Sequence, residues 1–208
     1  MLIVTHGRSG ATKYCLDLEK LLGIPFVGEF DGSHLKKNPW AGTKAKNHET
    51  GFQPSYGEEE FFDIIRNHKN NCIVQLNRAP ANAAPQADKI LIRKDIYKTL
   101  VSFAKLLART GLENSQILFF CKLLFDDYMG LVTYTLIAKQ RNLAPEVLWF
   151  EELYPNHVQD EENILEIIPE ASKYFEWLIS SSGVERLVHR CYTTKILKPF
   201  ASKAQNRS

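Results

Sequence analysis

The sequence has no closely spaced pair of cysteines and no apolar run long enough to cross a membrane. Its four cysteines lie far apart, at Cys15, Cys72, Cys121 and Cys191. This spacing predicts neither a zinc site nor a dense set of disulfides, and it favours small buried residues in a reducing, cytoplasmic compartment. The apolar stretch at 143–150 is interrupted by Pro145 and Glu146. We therefore expect a soluble protein without a membrane anchor.

A strong net charge of either sign is also missing. The 26 Lys and Arg residues and the 24 Asp and Glu residues give a formal net charge of +2, so no nucleic-acid partner is expected and any anion site must be local. Hydrophobic residues make up 44% and charged residues 24% of the 208 positions, as is usual in globular proteins. We predict one domain over 1–198 and a polar tail over 199–208.

Short apolar runs alternate along the chain with segments of helical periodicity. Strands are predicted near 2–5, 24–27, 72–76, 89–92 and 147–150, and helices near 12–22, 58–67, 96–109, 114–141, 164–168 and 171–180. A break is expected in the 114–141 helical region, near Asp126 or Gly130. One strand per crossover predicts an α/β fold of three layers, with a central, mainly parallel sheet flanked by helices. Residues 32–56 follow neither period, which predicts a long loop or lid.

A glycine loop follows the first predicted strand and precedes the first helix. In a parallel sheet such a loop lies at the carboxyl end of its strand, where backbone amides and the helix N-terminus attract anions. Gly7 and Gly10 permit close approach of an anion, and Arg8 adds a planar guanidinium. The loop fits neither the Walker A spacing GxxxxGK[ST] nor the dinucleotide fingerprint GxGxxG. The alternative is a glycine turn that binds no ligand.

Three patches resemble one known family. Residues 7–12, Gly-Arg-Ser-Gly-Ala-Thr, resemble the loop, commonly written [KR]SG[TS]T, by which sulfotransferases bind 3′-phosphoadenosine 5′-phosphosulfate (PAPS). Residues 147–153 look like that family's strand ending in a Tyr-Glu-Asp-Leu motif. The pair Gly28-Glu29 stands where several carbohydrate-type members carry Gly-Glu. The resemblance implies a P-loop-like sulfotransferase architecture.

A fourth patch is similar to the 3′-phosphate site of the same family. Residues 90–103 contain a strand, a basic pair and then a serine, Ser102. Lys94 stands eight residues before Ser102, which is the family's spacing, whereas Arg93 is the arginine that the family uses, and Ile96 replaces its usual proline. Either Arg93 or Lys94 could therefore bind the 3′-phosphate with Ser102.

The resemblance implies a PAPS site that needs no metal. Its loop would hold the phosphosulfate with Gly7, Arg8, Ser9, Gly10, Ala11, Thr12 and Lys13. Arg8 would stabilise the departing 5′-phosphate while the sulfuryl group passes in line to a hydroxyl of a sugar or another small acceptor. Without a ligand role, Arg93 and Lys94 would be ordinary cations at a strand end, and Lys13 would face water.

The acceptor hydroxyl needs a base. Glu29 is the first choice by its match to the carbohydrate-type position, His34 is the second and His48 the third. Small-molecule members of the family place a histidine near the position of Asn77, which cannot act as a base. Glu29 could instead be a solvated or capping carboxylate. Each of the two histidines could simply lie at the surface.

Two other functions stay open from the sequence. One is a nucleotide- or glycan-binding protein that keeps this fold without catalysis, and the other is a P-loop-like nucleotide phosphotransferase. Glu151 and Glu152 follow the last predicted strand, where we expect a carboxylate to hold the neighbouring loop rather than take part in the chemistry. The sequence predicts neither the oligomeric state nor the identity of the acceptor.

Overall fold

The computed structural model describes residues 1–31, 71–77, 87–143, 145–157 and 168–193, with the backbone alone for 27–31. The strands are β1 Leu2–Thr5, β2 Phe26–Asp31, β3 Ile73–Asn77, β4 Lys89–Ile92 and β5 Glu146–Trp149. The helices are α1 Ala11–Leu22, α2 Ile96–Ala108, α3 Asn114–Gln140, α4 Phe150–Leu153, α5 Ala171–Ser182 and α6 Val184–Thr193. The predictions for 32–56, 58–67, 164–168 and 199–208 fall outside the described residues.

The five strands form one parallel sheet in the order β2-β3-β1-β4-β5. The predicted α/β fold with a parallel central sheet is therefore confirmed. From β1 the chain crosses to β2, at one edge of the sheet. From β4 it continues to β5, at the opposite edge. The crevice between the carboxyl ends of β1 and β4 is thus a topological switch point, the usual ligand position in open α/β sheets.

Helices cover both faces of this sheet. Successive residues of β1 point to opposite faces, so that Ile3 packs with α1 residues such as Leu18, whereas Val4 packs with α2, α3, α5 and α6. Both core clusters draw apolar residues from the central strands, as expected for strands buried on two sides. The four cysteines are free and buried, which confirms that they are small core residues. Among the described residues, no helix is long and apolar enough to cross a bilayer.

Helix α3 corrects one prediction. The sequence predicts a break near Asp126 or Gly130, yet the helix runs without interruption over 27 residues. A glycine inside a helix costs about 1 kcal/mol relative to alanine. The core side chains on both sides of Gly130, including Tyr128 and Val132, are fully buried, and their packing offsets that cost.

Strand β2 corrects a second prediction from the sequence. The sequence predicts a strand that ends before Gly28-Glu29, but β2 continues to Asp31. Its pairing with β3 shifts register between Phe26 and Glu29, after which Glu29 pairs with Gln75. Such an irregularity inserts a residue without ending the strand. The alternation of apolar and polar residues that marks a strand does not reveal it. Glu29 therefore lies within a strand rather than after one.

Candidate functional site

The loop after β1 lies at the switch point and has an unusual backbone. Arg8 has a φ of +61° and Gly10 a φ of +84°, both in the left-handed region that L-residues rarely occupy. A non-glycine residue held in this region costs about 1–2 kcal/mol and is often found at functional sites. The two left-handed residues give the turn that connects β1 to the start of α1.

Arg8 reaches from this loop to helix α2. Its Nε and Nη2 atoms donate to the Ser102 hydroxyl oxygen at 3.1 and 2.9 Å, while the Arg8 side chain stays exposed. Nη1 of Arg93 lies 3.5 Å from the carbonyl oxygen of the same residue, Arg8. The structure thus brings together three residues that the sequence assigned to two separate phosphate sites.

Arg93 is the buried cation of this group. Only 6% of the residue is exposed, and its guanidinium carbon lies 4.9 Å from the centre of the Phe150 ring. Its Nε atom is 3.7 Å from Oε1 of Glu151 and makes no hydrogen bond among the described residues. Burial lowers the pKa of Arg93, which the charge of Glu151 partly opposes. An arginine nevertheless keeps its proton at neutral pH.

Lys94 turns away from the loop. Its Nζ atom donates to Glu152 at 2.8 Å and lies 3.7 Å from the centre of the Tyr192 ring. Lys94 borders a pocket of about 280 Å³ between the start of α2 and helix α6, lined mainly by apolar side chains such as Val184 and Val188. Of the two cations that the sequence left open, the geometry therefore places Arg93 beside the loop.

The Ser9 hydroxyl points into the loop rather than out of it. Ser9 is 2% exposed, and its oxygen lies 2.6 Å from the Thr5 hydroxyl and accepts from the Ala11 amide at 3.2 Å. Thr5 in turn donates to the Leu91 carbonyl oxygen at 2.7 Å. Ser9 and the Ala11 amide thus stabilise the loop in this structure, and the loop is tied to β4.

The remaining predicted loop residues lie at the beginning of α1. Thr12 is half-buried. Lys13 pairs with Asp17 at 3.0 Å and stands over the Tyr154 ring, 4.5 Å from its centre. Tyr154 also donates to Asp17 at 2.6 Å, and its hydrogen bond lowers the pKa of that carboxyl, followed by the hydrogen bond from Lys13. Lys13 therefore belongs to a polar cluster on the flank of α1.

His6 is a residue that the sequence did not single out. Its Nδ1 atom is 2.9 Å from the Gly7 carbonyl oxygen, and its Nε2 atom accepts from the Arg93 amide at 3.1 Å. The ring is fully buried and packs edge-on against Tyr128. Burial lowers the pKa of His6 to about 4, so the imidazole is neutral and links the ends of β1 and β4. Both nitrogens are engaged, so His6 cannot serve as a general base.

Phe150 explains why residue 10 is a glycine. A Cβ atom at Gly10 would stand 2.2 Å from the Phe150 ring, closer than two non-bonded carbon atoms can approach. Phe150 also packs edge-on against the exposed His157, with 5.2 Å between ring centres. The same aromatic ring thus contacts the loop at Gly10 and the guanidinium of Arg93. The sequence placed Phe150 inside the last predicted strand, where an aromatic side chain is ordinary core, whereas β5 ends at Trp149 and Phe150 begins α4. No sequence signal therefore marked Phe150 as a neighbour of the loop.

Glu151 holds the turn between β4 and α2. Its carboxylate accepts from the Lys94 amide at 3.0 Å and from the Asp95 amide at 3.2 Å. Asp95 then caps α2 by accepting from the Lys98 amide. The expectation that a carboxylate after the last strand ties down the neighbouring loop is confirmed for Glu151.

Glu29, the first candidate base, lies away from the loop between β1 and α1. Glu29 pairs with Gln75, two residues before the level of Asn77 and Thr5, and β3 separates its strand from β1. Strand spacing and rise put the Glu29 backbone about 10 Å across the sheet and about 7 Å below the end of β1. The Asn77 side chain, at the end of β3, accepts from Gln75 at 2.9 Å. His34 and His48 lie outside the described residues.

The site therefore combines an exposed guanidinium, a buried guanidinium and a hydroxyl around a glycine loop. Such a set of donors suits a ligand with separate anionic groups, because phosphate and sulfate oxygens accept planar guanidinium donors well. Comparison with known proteins finds no matching family model, no matching curated protein and no matching solved structure.

Proposed function

We propose that the protein is a sulfotransferase that uses PAPS as its donor and a hydroxyl of a sugar or another small molecule as its acceptor. The observation that carries this proposal is the hydrogen bond from the Arg8 side chain to Ser102, together with the contact of Arg93 with the Arg8 carbonyl oxygen. It joins the loop that resembles a 5′-phosphosulfate site to the segment that resembles a 3′-phosphate site. PAPS is a nucleotide that carries anionic groups at both of these positions.

In this proposal each residue of the site has a defined task. Arg8 neutralises the charge that develops on the 5′-phosphate as the sulfur–oxygen bond to it breaks. Ser102 and Arg93 bind the 3′-phosphate, and Gly10 and Thr12 align the phosphosulfate, while Ser9 and the Ala11 amide hold the shape of the loop. The acceptor oxygen forms the new bond to sulfur and passes its proton to a base. Glu29 remains the proposed base, with His34 as the alternative.

The position of the base favours a second candidate function. His6 is buried with a pKa of about 4, and the end of β3 carries Asn77 rather than a titratable group. The backbone of Glu29 lies two strands away from β1. A protein that binds the bisphosphate nucleotide without transferring sulfate fits these three observations, and it uses the same anion site.

Transfer of labelled sulfate from PAPS tests the first proposal. We expect the wild-type protein to label at least one acceptor in a panel of sugars and small hydroxyl compounds. Arg8→Ala should lose most turnover, roughly 10²- to 10³-fold, the effect of removing one donor to a developing charge. Arg109→Ala is the matched control, since Arg109 is an exposed arginine at the end of α2, and its rate should equal that of the wild type.

Three results would count against sulfate transfer. Equal rates for Arg8→Ala and Arg109→Ala would show that Arg8 takes no part in the reaction. Binding of the nucleotide without transfer to any acceptor would favour the second candidate function. Turnover of ATP that depends on magnesium would instead support the nucleotide phosphotransferase.

A further inference from the structure

Glu151 is the only acidic side chain among the described residues that forms an ion pair with Arg93. Three donors converge on one of its oxygens, Oε1: the Lys94 amide at 3.0 Å, the Asp95 amide at 3.2 Å and Nε of Arg93 at 3.7 Å. The second oxygen, Oε2, accepts from the Lys94 amide alone, also at 3.0 Å. The carboxylate is therefore fixed beside the buried guanidinium.

The negative charge of Glu151 acts close to the candidate anion site. The Arg93 side chain is 7% exposed and that of Glu151 is 33% exposed, so water screens this pair less than it screens a surface pair. Asp95, which caps α2, also raises the pKa of Arg93 but less than Glu151 does, whereas Glu152 pairs with Lys94 at 2.8 Å. Glu151 thus offsets the positive charge of Arg93, which contacts the Arg8 carbonyl oxygen.

We propose that Glu151 is a built-in counter-ion that limits how tightly the site holds an anionic nucleotide. The proposal rests on the proposed function, because it concerns the same anion site. A site with two uncompensated guanidinium groups would retain a product that carries two phosphates. With Glu151 beside Arg93, one of the two cations is largely balanced, and the product is released more readily.

Glu151→Gln separates the charge from the hydrogen bonds. A glutamine whose carbonyl oxygen takes the place of Oε1 keeps the three donor contacts at that oxygen, loses the negative charge and gives up the second contact of Oε2 with the Lys94 amide. Glu152→Gln is the matched control. It removes the same charge one residue further along the chain, where the carboxylate is 47% exposed and faces Lys94 rather than Arg93.

Calorimetric titration with adenosine 3′,5′-bisphosphate tests the proposal. One unit charge removed within several ångströms of the ligand predicts about 10-fold tighter binding by Glu151→Gln, with a steeper dependence on salt. Glu152→Gln should bind within about twofold of the wild type, because exposed ion pairs contribute little. Glu151→Asp keeps the charge and should also stay close to the wild-type affinity.

The other outcomes overturn the proposal in distinguishable ways. If the wild type binds the bisphosphate and Glu151→Gln binds it equally or more weakly, the counter-ion role is refuted and the proposed function stands. An equal gain in Glu152→Gln shows a general effect of charge and refutes it too. No binding by any of the proteins refutes both proposals. A Glu151→Gln protein that does not fold refutes the counter-ion role, since the fold itself would then require the charge.

Discussion

The substitution Gly10→Ala probes how closely the loop between β1 and α1 is packed against its surroundings. Two features of Gly10 oppose any side chain: its φ of +84° and the Phe150 ring, 2.2 Å from the position of a Cβ atom. Phe150 is 2% exposed and is held against the Arg93 guanidinium and the Tyr154 ring. The ring therefore cannot move aside without disturbing both neighbours.

Both features contribute to the expected loss of stability. The left-handed backbone costs an alanine about 1–2 kcal/mol, and forcing a methyl group into a packed core costs about 1–3 kcal/mol more. Gly10→Ala should therefore lower the free energy of unfolding by about 2–5 kcal/mol. Gly23 has a φ of +67° and nothing within 4 Å of a Cβ position, so Gly23→Ala should show the backbone contribution alone, about 1–2 kcal/mol.

Urea unfolding of four variants measures these contributions. In a Phe150→Ala background the clash is absent. Adding Gly10→Ala to that variant should then lower the free energy of unfolding by no more than Gly23→Ala does. The interaction free energy of this double-mutant cycle should be about 1–3 kcal/mol, equal to the clash. The reasoning is refuted if Gly10→Ala and Gly23→Ala destabilise the protein equally, or if the cycle shows no interaction.

Two further predictions concern titratable groups. The pKa of His6 falls from 6.5 in the unfolded chain to about 4 in the fold; the unfolded state therefore binds more protons below neutral pH, and the free energy of unfolding should drop by about 2 kcal/mol between pH 8 and pH 5. Urea unfolding at both pH values should show this drop in the wild type and a smaller drop in His6→Gln. Equal drops in the two proteins would contradict the burial of a neutral imidazole. If Glu29 is the base, Glu29→Gln should slow sulfate transfer about 10²- to 10⁴-fold in single-turnover measurements, while the affinity for the nucleotide stays the same. An unchanged rate would transfer the role to His34.

The sequence predicted the parts of the fold that depend on local pattern. Apolar runs of four or five residues alternate with helical periodicity, and this order predicts the parallel sheet and the loop at the end of β1. The predicted end of the first helix at residue 22 is also confirmed, and the amide of the following residue, Gly23, donates to the Glu19 carbonyl oxygen. The extent of β2 could not be predicted in this way, because a shift in strand register between Phe26 and Glu29 leaves no periodic signal.

The choice between two adjacent cations needed contacts that are distant in sequence. The sequence pattern does not decide between Arg93 and Lys94. Glu151 and Phe150 contact Arg93 and hold it beside the loop. Lys94 instead contacts Glu152 and Tyr192. These partners are more than 50 residues away along the chain. Sequence spacing alone therefore does not show which of the two cations lies beside the loop.

Calorimetric comparison of adenosine 3′,5′-bisphosphate with AMP tests the central claim, that Arg8, Arg93 and Ser102 bind a nucleotide phosphorylated at two positions. The account predicts a dissociation constant in the micromolar range or below for the bisphosphate. It predicts at least about 10-fold weaker binding of AMP, since AMP leaves the charged donors of the 3′ site without a partner. Equal affinities for the two nucleotides, or no binding of either, would contradict it.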